Sequence, residues 1–241
     1  MIDLLEPTNV ITRMFNAAKY DDMYNYCKNL LKKIPNDMVA LQNISLSLIY
    51  LEKYEEAIVY CNRVLEIKSL DTYALKNKIY ALESLKQYEQ VLELCNLILS
   101  KNPNDIWALN SMGLSLNELN RHQEALEFYD RSLRSDPNDV TALMNKAISL
   151  SHLGSYQEAL EYYDKAQVID SSLKEISKAK SQLFEKLGKP DDAFLAAQGV
   201  PNKEIEKIKL DAEENKCSVF HQFCNNEFKM YDSNQKKNKS K

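Results

Sequence analysis

Three side chains near the C-terminal end have the types and spacing of metal ligands. Cys217, His221 and Cys224 occur at i, i+4 and i+7, which places them on one face of a helix. Thiolates and imidazoles are ligands that zinc prefers, but a closed zinc site needs a fourth ligand. No recognised four-ligand spacing is present, and an apolar stripe continued by Phe228 and Tyr231 is the favoured interpretation. We therefore predict no metal and no cofactor, with a metal-binding tail as the least favoured alternative.

A second set of cysteines follows a regular period. Cys27, Cys61 and Cys95 are separated by 34 residues each. If each belongs to one of a series of stacked helices, equivalent points lie about 8–10 Å apart. That distance is too long for a disulfide and for shared ligation of one zinc ion. These three thiols are therefore predicted to be small side chains of the core.

Motifs that support catalysis are absent from the sequence. It contains no glycine-rich phosphate loop, no His-Glu-x-x-His and no Cys-x-x-Cys. Paired carboxylates such as Glu55 and Glu56 have the pattern of a solvated helix face. We therefore predict that the protein is not an enzyme.

Composition limits the class of partner. The net charge is -4, from 31 Lys and Arg against 35 Asp and Glu, whereas nucleic-acid binding favours a strongly basic face. No apolar run approaches the roughly 20 residues of a membrane span. The N-terminal residues lack the pattern of a signal peptide. The expected class is a cytoplasmic protein with reduced thiols that binds neither nucleic acid nor membrane.

An internal repeat predicts the elements that must position any site. Aspartates recur every 34 residues, and each precedes an apolar-periodic stretch that an aspartate can cap as a helix. When this aspartate is numbered 34, the repeats are 4–37, 38–71, 72–105, 106–139 and 140–173, with a degenerate sixth at 174–200. The aspartates are Asp3, Asp37, Asp71, Asp105 and Asp139.

Each repeat has two apolar stripes of helical period. Position 4 is leucine in four repeats, position 8 is mostly small, and position 20 is mostly alanine. Glycines such as Gly154 and Gly188 lie between the stripes and are candidates for the turn. Two helices of about 13 residues, joined by a short turn, account for a 34-residue unit. The sequence thus predicts an all-α chain of antiparallel helix pairs.

This unit resembles the tetratricopeptide repeat. The fourth repeat matches best, through Leu109, Gly113, Ala125, Tyr129 and Pro137. The first and last repeats depart from the pattern, as capping units of an open array do. The resemblance implies a right-handed superhelical solenoid over residues 1–200 whose first helices line a concave, partner-binding surface.

Positions 2, 5, 6, 9, 12 and 13 would face that surface. They predict an apolar groove edged by asparagines, suited to a peptide or helix of a partner protein. The basic residues with which chaperone-binding members hold a C-terminal carboxylate are missing at positions 2 and 6, so that ligand class is not expected. The predicted partner-binding residues are Asn9, Asn43, Asn77, Asn145, Val39, Tyr50, Tyr73, Tyr80, Trp107 and Leu114.

The C-terminal region breaks the repeat. Residues 201–231 are predicted to form a capping and aromatic segment, whose first part, Asn202 to Lys216, docks as a helix on the sixth repeat. Residues 232–241 are basic and are predicted to be disordered. The expected function is a non-catalytic adaptor or scaffold. The alternative is a self-assembling structural protein in which the groove or the tail joins two copies.

Overall fold

The computed structural model describes residues 5–172 and 174–227. Within these ranges every regular element is a helix, as the sequence predicts. The chain forms two compact units, Met1–Phe128 and Tyr129–Lys241. The basic tail predicted to be disordered, together with Phe228 and Tyr231, lies outside the described residues.

The first unit is built from successive packed helix pairs. Each helix packs on the next from α1 to α7, and α3 also packs on α5. The first helices that carry the predicted groove are therefore α3, α5 and α7. The helices are α1 Leu5–Asn16, α2 Tyr20–Lys33, α3 Met38–Tyr50, α4 Tyr54–Ile67, α5 Thr72–Ser84, α6 Tyr88–Lys101, α7 Ile106–Glu118 and the start of α8 His122–Ser135.

The second unit continues the same pairing. Helix α9 packs on α10, α10 on α11, α11 on α12, and α12 on α13. Residues 219–227 form a further short helix. The helices of this unit are the end of α8, then α9 Val140–His152, α10 Tyr156–Ile169, α11 Lys174–Lys186, α12 Pro190–Ala197 and α13 Asn202–Glu214.

The periodic aspartates are the N-caps of the first helices. A side-chain oxygen of Asp37 accepts a hydrogen bond from the Ala40 backbone N–H at 2.8 Å, and Asp71 and Asp105 do the same three residues on, at 3.0 Å. Asp139 accepts from two backbone N–H groups of α9. The predicted starts of these helices are confirmed, since the caps satisfy donors that have no partner within the helix.

The turn inside each repeat contains one residue in the left-handed backbone region. Gly154 and Gly188 have φ of +81° and +71°, as expected for glycine between two helices. The same position, 34 residues apart each time, has a positive φ in the other four repeats, where the residue is not glycine. Those residues are Ala18, Glu52, Lys86 and Asn120, with φ from +52° to +59°.

The three periodic cysteines are core residues. Cys27, Cys61 and Cys95 are fully buried and are free thiols. Burial is the main cause that raises the pKa of Cys27 and Cys95 to about 12 and that of Cys61 to about 11. Thiols so protected from ionisation are unreactive, in agreement with the predicted packing role.

The predicted capping helix is present as α13. Ile205, Ile208 and Ala212 are buried, and α13 packs on α12. The Lys209 ammonium lies 3.0 Å from a carboxylate oxygen of the buried Asp192 on α12. The short helix that follows places Phe220 and Phe223 with ring centroids 5.4 and 5.9 Å from that of Phe194 on α12.

Candidate partner-binding groove

A cavity of about 250 Å³ opens across the first helices of the first unit. Most of its wall is apolar or aromatic. Three side chains come from α3, three from α5 and one from α7, so three successive repeats contribute to it. Below we call it the aromatic cavity; its lining residues are Leu46, Ile49, Tyr50, Lys76, Asn77, Tyr80 and Trp107.

The ammonium in this cavity already has a counter-charge. Lys76 Nζ lies 3.2 Å from both carboxylate oxygens of Asp105 and 4.9 Å from the centroid of the Trp107 ring. A cation over an indole face is attracted by the negative face of the ring. Lys76 therefore connects α5 to the N-cap of α7 and leaves the cavity close to neutral. It was not among the predicted site residues, although its repeat position 5 belongs to the predicted groove stripe.

Two asparagines of the predicted row form hydrogen bonds within the protein. The Asn77 amide is buried and donates to the Ser45 hydroxyl at 3.1 Å, and it also bonds the Tyr73 hydroxyl. Tyr73 is 43% exposed, but partial burial of its hydroxyl raises its pKa, and the bond to Asn77 opposes this effect. Asn43 donates to the Val39 carbonyl of its own helix at 2.7 Å. These bonds occupy amide donors that the sequence assigned to a peptide backbone.

Tyr50 is held at the edge of the cavity by two other aromatic rings. It stacks on Tyr20 with centroids 4.4 Å apart and an interplanar angle of 10°. Phe15 contacts the same tyrosine edge-on at 5.4 Å. Such contacts add about 0.5–1.5 kcal/mol per pair beyond burial, so this wall of the cavity is preorganised.

The other predicted residues lie outside the lining of the aromatic cavity. Val39 and Tyr73 are exposed on α3 and α5, and Leu114 is half-buried on α7. Asn9 is exposed on α1, whereas Asn145 is half-buried on α9 of the second unit. The structure thus brings together four of the ten predicted residues: Tyr50, Asn77, Tyr80 and Trp107.

Helix α5 also carries a half-buried carboxyl group that sequence reasoning passed over. Burial raises the pKa of Glu83 to about 7, and a hydrogen bond with Ser111 opposes this rise. The Glu83 Oε1 atom is buried and has no hydrogen-bond partner among the described residues. Its repeat position, 12, belongs to the groove stripe. Sequence periodicity alone does not reveal its burial or its bond to Ser111 of α7.

The C-terminal Cys and His side chains do not form a ligand set. Within residues 5–172 and 174–227, no group of three or more His, Cys, Asp or Glu side chains could hold a metal ion. The Cys217 thiol instead lies 3.5 Å from Gln222 Oε1. The arrangement offers no ligation chemistry to Cys217, His221 and Cys224 together.

Comparison with protein-family models decides the family. Models of the tetratricopeptide repeat match residues 39–69, 81–138 and 110–173. The chain belongs to the tetratricopeptide repeat family. The matched ranges include all of α7 and, from residue 39 on, α3; these two helices carry two walls of the aromatic cavity.

Solved structures with the same fold include other tetratricopeptide repeat proteins. One from Parabacteroides merdae ATCC 43184 has a TM-score of 0.70 at 20% identity, over 85% of this chain and 78% of that chain. MamA from Desulfovibrio magneticus RS-1 has a TM-score of 0.64 at 19% identity, over 69% and 94%. YrrB, described as a TPR protein with an unusual peptide-binding site, has 0.57 at 16% identity, over 72% and 89%. At these identities the similarity shows the fold alone.

Two further searches, one of curated proteins and one for membrane-spanning helices, gave negative results. A search of curated protein sequences found no match. In the part of the chain that the structure describes, no helix combines the length and apolar character needed to cross a membrane.

Proposed function

We propose that this tetratricopeptide repeat protein is a non-catalytic adaptor that binds a peptide or helix of a partner protein in the aromatic cavity. The observation that carries the proposal is the cavity itself. Apolar and aromatic side chains from three repeats converge there, and its ammonium is already paired with Asp105. A cavity of roughly 150 Å³ is enough for benzene, so about 250 Å³ accepts a large apolar side chain.

The bonding inside the cavity specifies the contact. Because Asn43 and Asn77 use amide donors within the protein, apolar burial, and not bracketing of a peptide backbone, supplies most of the affinity. The partner is expected to insert an uncharged apolar or aromatic anchor between Tyr80 and Trp107. YrrB supports the proposal to the extent that a protein of the same fold is described as binding peptide.

The sole tryptophan provides the experiment. Trp107 lines the cavity and is the one Trp of the chain, so its fluorescence reports occupancy directly. Partners captured by the intact chain would be mapped to a synthetic peptide and titrated by this signal. Tyr80→Ala should weaken binding by at least about ten-fold, as a buried aromatic anchor does. Retention of full affinity by Tyr80→Ala would contradict the proposal.

A matched control is available on α6. Leu97 is 42% exposed, close to the 50% of Tyr80, but it does not line the aromatic cavity. Leu97→Ala should therefore leave the affinity unchanged. Capture that depends equally on Leu97 and Tyr80 would place the partner on another surface.

Self-association is the second candidate function. In the second unit Leu210 and Phe220 are 60% and 59% exposed, and exposed apolar side chains favour contact with a further chain. Light scattering of the purified protein separates the two candidates. A dimer without ligand that dissociates on Leu210→Lys and Phe220→Lys favours self-assembly, whereas a monomer favours the adaptor.

We also propose that the protein is cytoplasmic. The support for this placement is the state of the cysteines, because all five are free thiols in the described residues. Stable secreted domains commonly pair such residues as disulfides. Fractionation of cells that express a tagged chain would test this placement.

A further inference from the structure

The second helix of the last repeat is unusually short. Helix α12 has 8 residues, whereas α10, the second helix of the preceding repeat, has 14. At 1.5 Å per residue α12 is shorter by about 9 Å, nearly two turns. The chain leaves the helix through Gly199, whose φ of +81° suits a glycine, and Pro201 precedes α13. The first turns of α11 consequently lack the cover that a full-length α12 would give them.

The sequence of α11 changes where this cover is missing. Position 4 of the preceding four repeats is a leucine, and each of these leucines is at least 98% buried. In α11 the same position is Ser177, which is half-buried. An apolar side chain would be left facing water there, so the polar residue matches the short helix. The leucines are Leu41, Leu75, Leu109 and Leu143.

The missing turns leave a cavity of about 520 Å³ between α11 and the end of α12. A Cβ atom added to Gly199 would lie 3.6 Å from the Ser177 hydroxyl, so the two walls are close at this point. We call this space the serine cavity. Its lining residues are Ser171, Lys174, Ser177, Lys178, Ser181, Gln182, Ala197, Gln198 and Gly199.

A buried lysine fixes the wall that contains Gly199. Lys180 Nζ donates to Asp164 at 2.5 Å, to Gln167 Oε1 at 2.8 Å and to the Val200 carbonyl at 3.3 Å. Gln167 in turn donates its amide to the Gly199 carbonyl at 2.8 Å. This network holds the 199–200 segment to α10 and α11. The serine cavity is thus a defined shape and not a gap beside a loose loop.

Every polar side chain of the lining carries a hydrogen-bond donor. Three serine hydroxyls and two glutamine amides line the serine cavity, and the exposed Lys174 and Lys178 add two ammonium groups. None of the described lining residues is acidic. Hydroxyl, amide and ammonium groups together suit an anionic oxygen ligand, because bonds to a charged acceptor are the strong ones. The volume leaves room for a whole side chain.

We propose that the serine cavity binds an oxyanion, a phosphate or carboxylate group, carried by a peptide segment of a partner. This site differs from the aromatic cavity in its polar groups, because three serines and two lysines line it, whereas the ammonium of the aromatic cavity is paired with Asp105. The protein would then recognise a partner through an apolar anchor and an anionic group at separate places. The second recognition does not depend on the first.

The backbone amide signals of Ser177 and Ser181, followed by NMR in the intact chain, test the proposal. The probes are inorganic phosphate, a short peptide with phosphoserine, and the same peptide with glutamate or serine at that position. We expect saturable shifts with an anionic probe and none with the serine peptide. The stronger of the phosphoserine and glutamate peptides identifies the natural source of the oxyanion. Saturation by inorganic phosphate alone assigns the site to a free anion and overturns the peptide part.

Two variants and one control decide whether the cavity is responsible. Lys174→Gln with Lys178→Gln should weaken binding about ten-fold or more, as loss of charge-assisted bonds does. The control replaces Lys203 and Lys207 with Gln. These two lysines are exposed on α13 and have the same spacing. Ser177→Leu restores the leucine of the other repeats, removes one hydroxyl from the cavity and narrows it, and should weaken binding without lowering the melting temperature.

The contrary results are equally specific. Absence of saturable shifts with every probe, or equal affinity of the Lys174/Lys178 variant and the Lys203/Lys207 control, would overturn the proposal. If Ser177→Leu fails to fold by circular dichroism, the lysine variant decides alone. Trp107→Ala should bind the oxyanion like the unmodified protein, so failure of the aromatic cavity as a partner site remains a separate result.

Discussion

The Lys76 ammonium lies 4.9 Å from the centroid of the Trp107 ring and 3.2 Å from both carboxylate oxygens of Asp105. Lys76 thus pairs with the aspartate that caps α7 and also lies over the Trp107 ring, the largest side chain of the aromatic cavity. Its charge is used inside the protein. It is therefore not available to select an acidic ligand.

The first prediction separates the charge of Lys76 from the aromatic surface. Lys76→Met keeps most of the side-chain length and removes the ammonium. Affinity for an apolar peptide, followed by Trp107 fluorescence, should change by less than about three-fold. The proposed anchor is uncharged, so it forms no ion pair with the ammonium. Tyr80→Ala should lose at least about ten-fold in the same titration. A large loss in Lys76→Met would show that the ligand uses the ammonium directly.

The second prediction compares two helix caps. Asp37 caps α3 through a bond to Ala40, and its replacement by Ala should cost about 1 kcal/mol. Asp105 caps α7 and also pairs with Lys76, so Asp105→Ala should cost more, roughly 1.5–2 kcal/mol. Urea midpoints of the two variants measure the difference. The corresponding Asn variants, which keep a capping oxygen, are the controls; equal costs at both sites would contradict the coupling.

The third prediction concerns the left-handed turn position. Lys86 has a φ of +57°, where a side chain is disfavoured by about 1–2 kcal/mol, so Lys86→Gly should stabilise the protein by roughly 0.5–1 kcal/mol. Gly154→Ala should destabilise it by a similar amount, although no atom lies within 4 Å of the added Cβ. Thermal unfolding measures both. Lys78→Gly, inside α5, serves as the control and should cost about 1 kcal/mol.

The fourth prediction is a pH dependence from Glu83. Its pKa is raised from 4.5 to about 7, so the folded protein binds this proton more tightly than the unfolded chain. The stabilisation that this bound proton contributes is fully present below about pH 4.5 and is lost as the pH rises through about 7. Glu83→Gln should therefore be more stable than the unmodified protein at pH 8, by a value on the order of 1–3 kcal/mol.

The matching control for Glu83 is an exposed carboxyl on the same unit. Glu93 is exposed on α6, so Glu93→Gln tests whether loss of any carboxylate from this unit reproduces the effect of Glu83→Gln. The measurement is the free energy of unfolding in urea, determined for both variants between pH 5 and 8. A Glu83→Gln variant with an unaltered profile would show that this carboxyl is ionised in the folded protein over the whole range.

Several features were predictable from sequence because their causes are local or periodic. The Asp37, Asp71, Asp105 and Asp139 caps act within three residues, so a 34-residue spacing was enough to locate the first helices. The burial of Cys27, Cys61 and Cys95 follows from their shared repeat position. Membership of the tetratricopeptide repeat family, as the family models show, rests on the same periodic residues.

Other features depend on contacts between helices that are far apart in sequence. Glu83 occupies a groove position like its neighbours, yet it is half-buried and bonds Ser111 of α7, and burial raises its pKa. Lys180 was indistinguishable from a surface lysine until the structure placed it against Asp164, Gln167 and Val200. Propensity and spacing carry no information on such pairings, because these depend on which side chains a neighbouring helix presents.

The sequence by itself determined the helix pairs, their caps, the buried cysteines and the first-helix stripe that lines the aromatic cavity, since hydrophobic period and capping chemistry act over a few residues. The tertiary structure alone decided that Lys76 pairs with Asp105 across 29 residues, that the buried Asn77 bonds Ser45 of the preceding repeat, and that a short α12 opens the serine cavity. The physical reason is that a side chain chooses its partner only after neighbouring helices have set distance and burial.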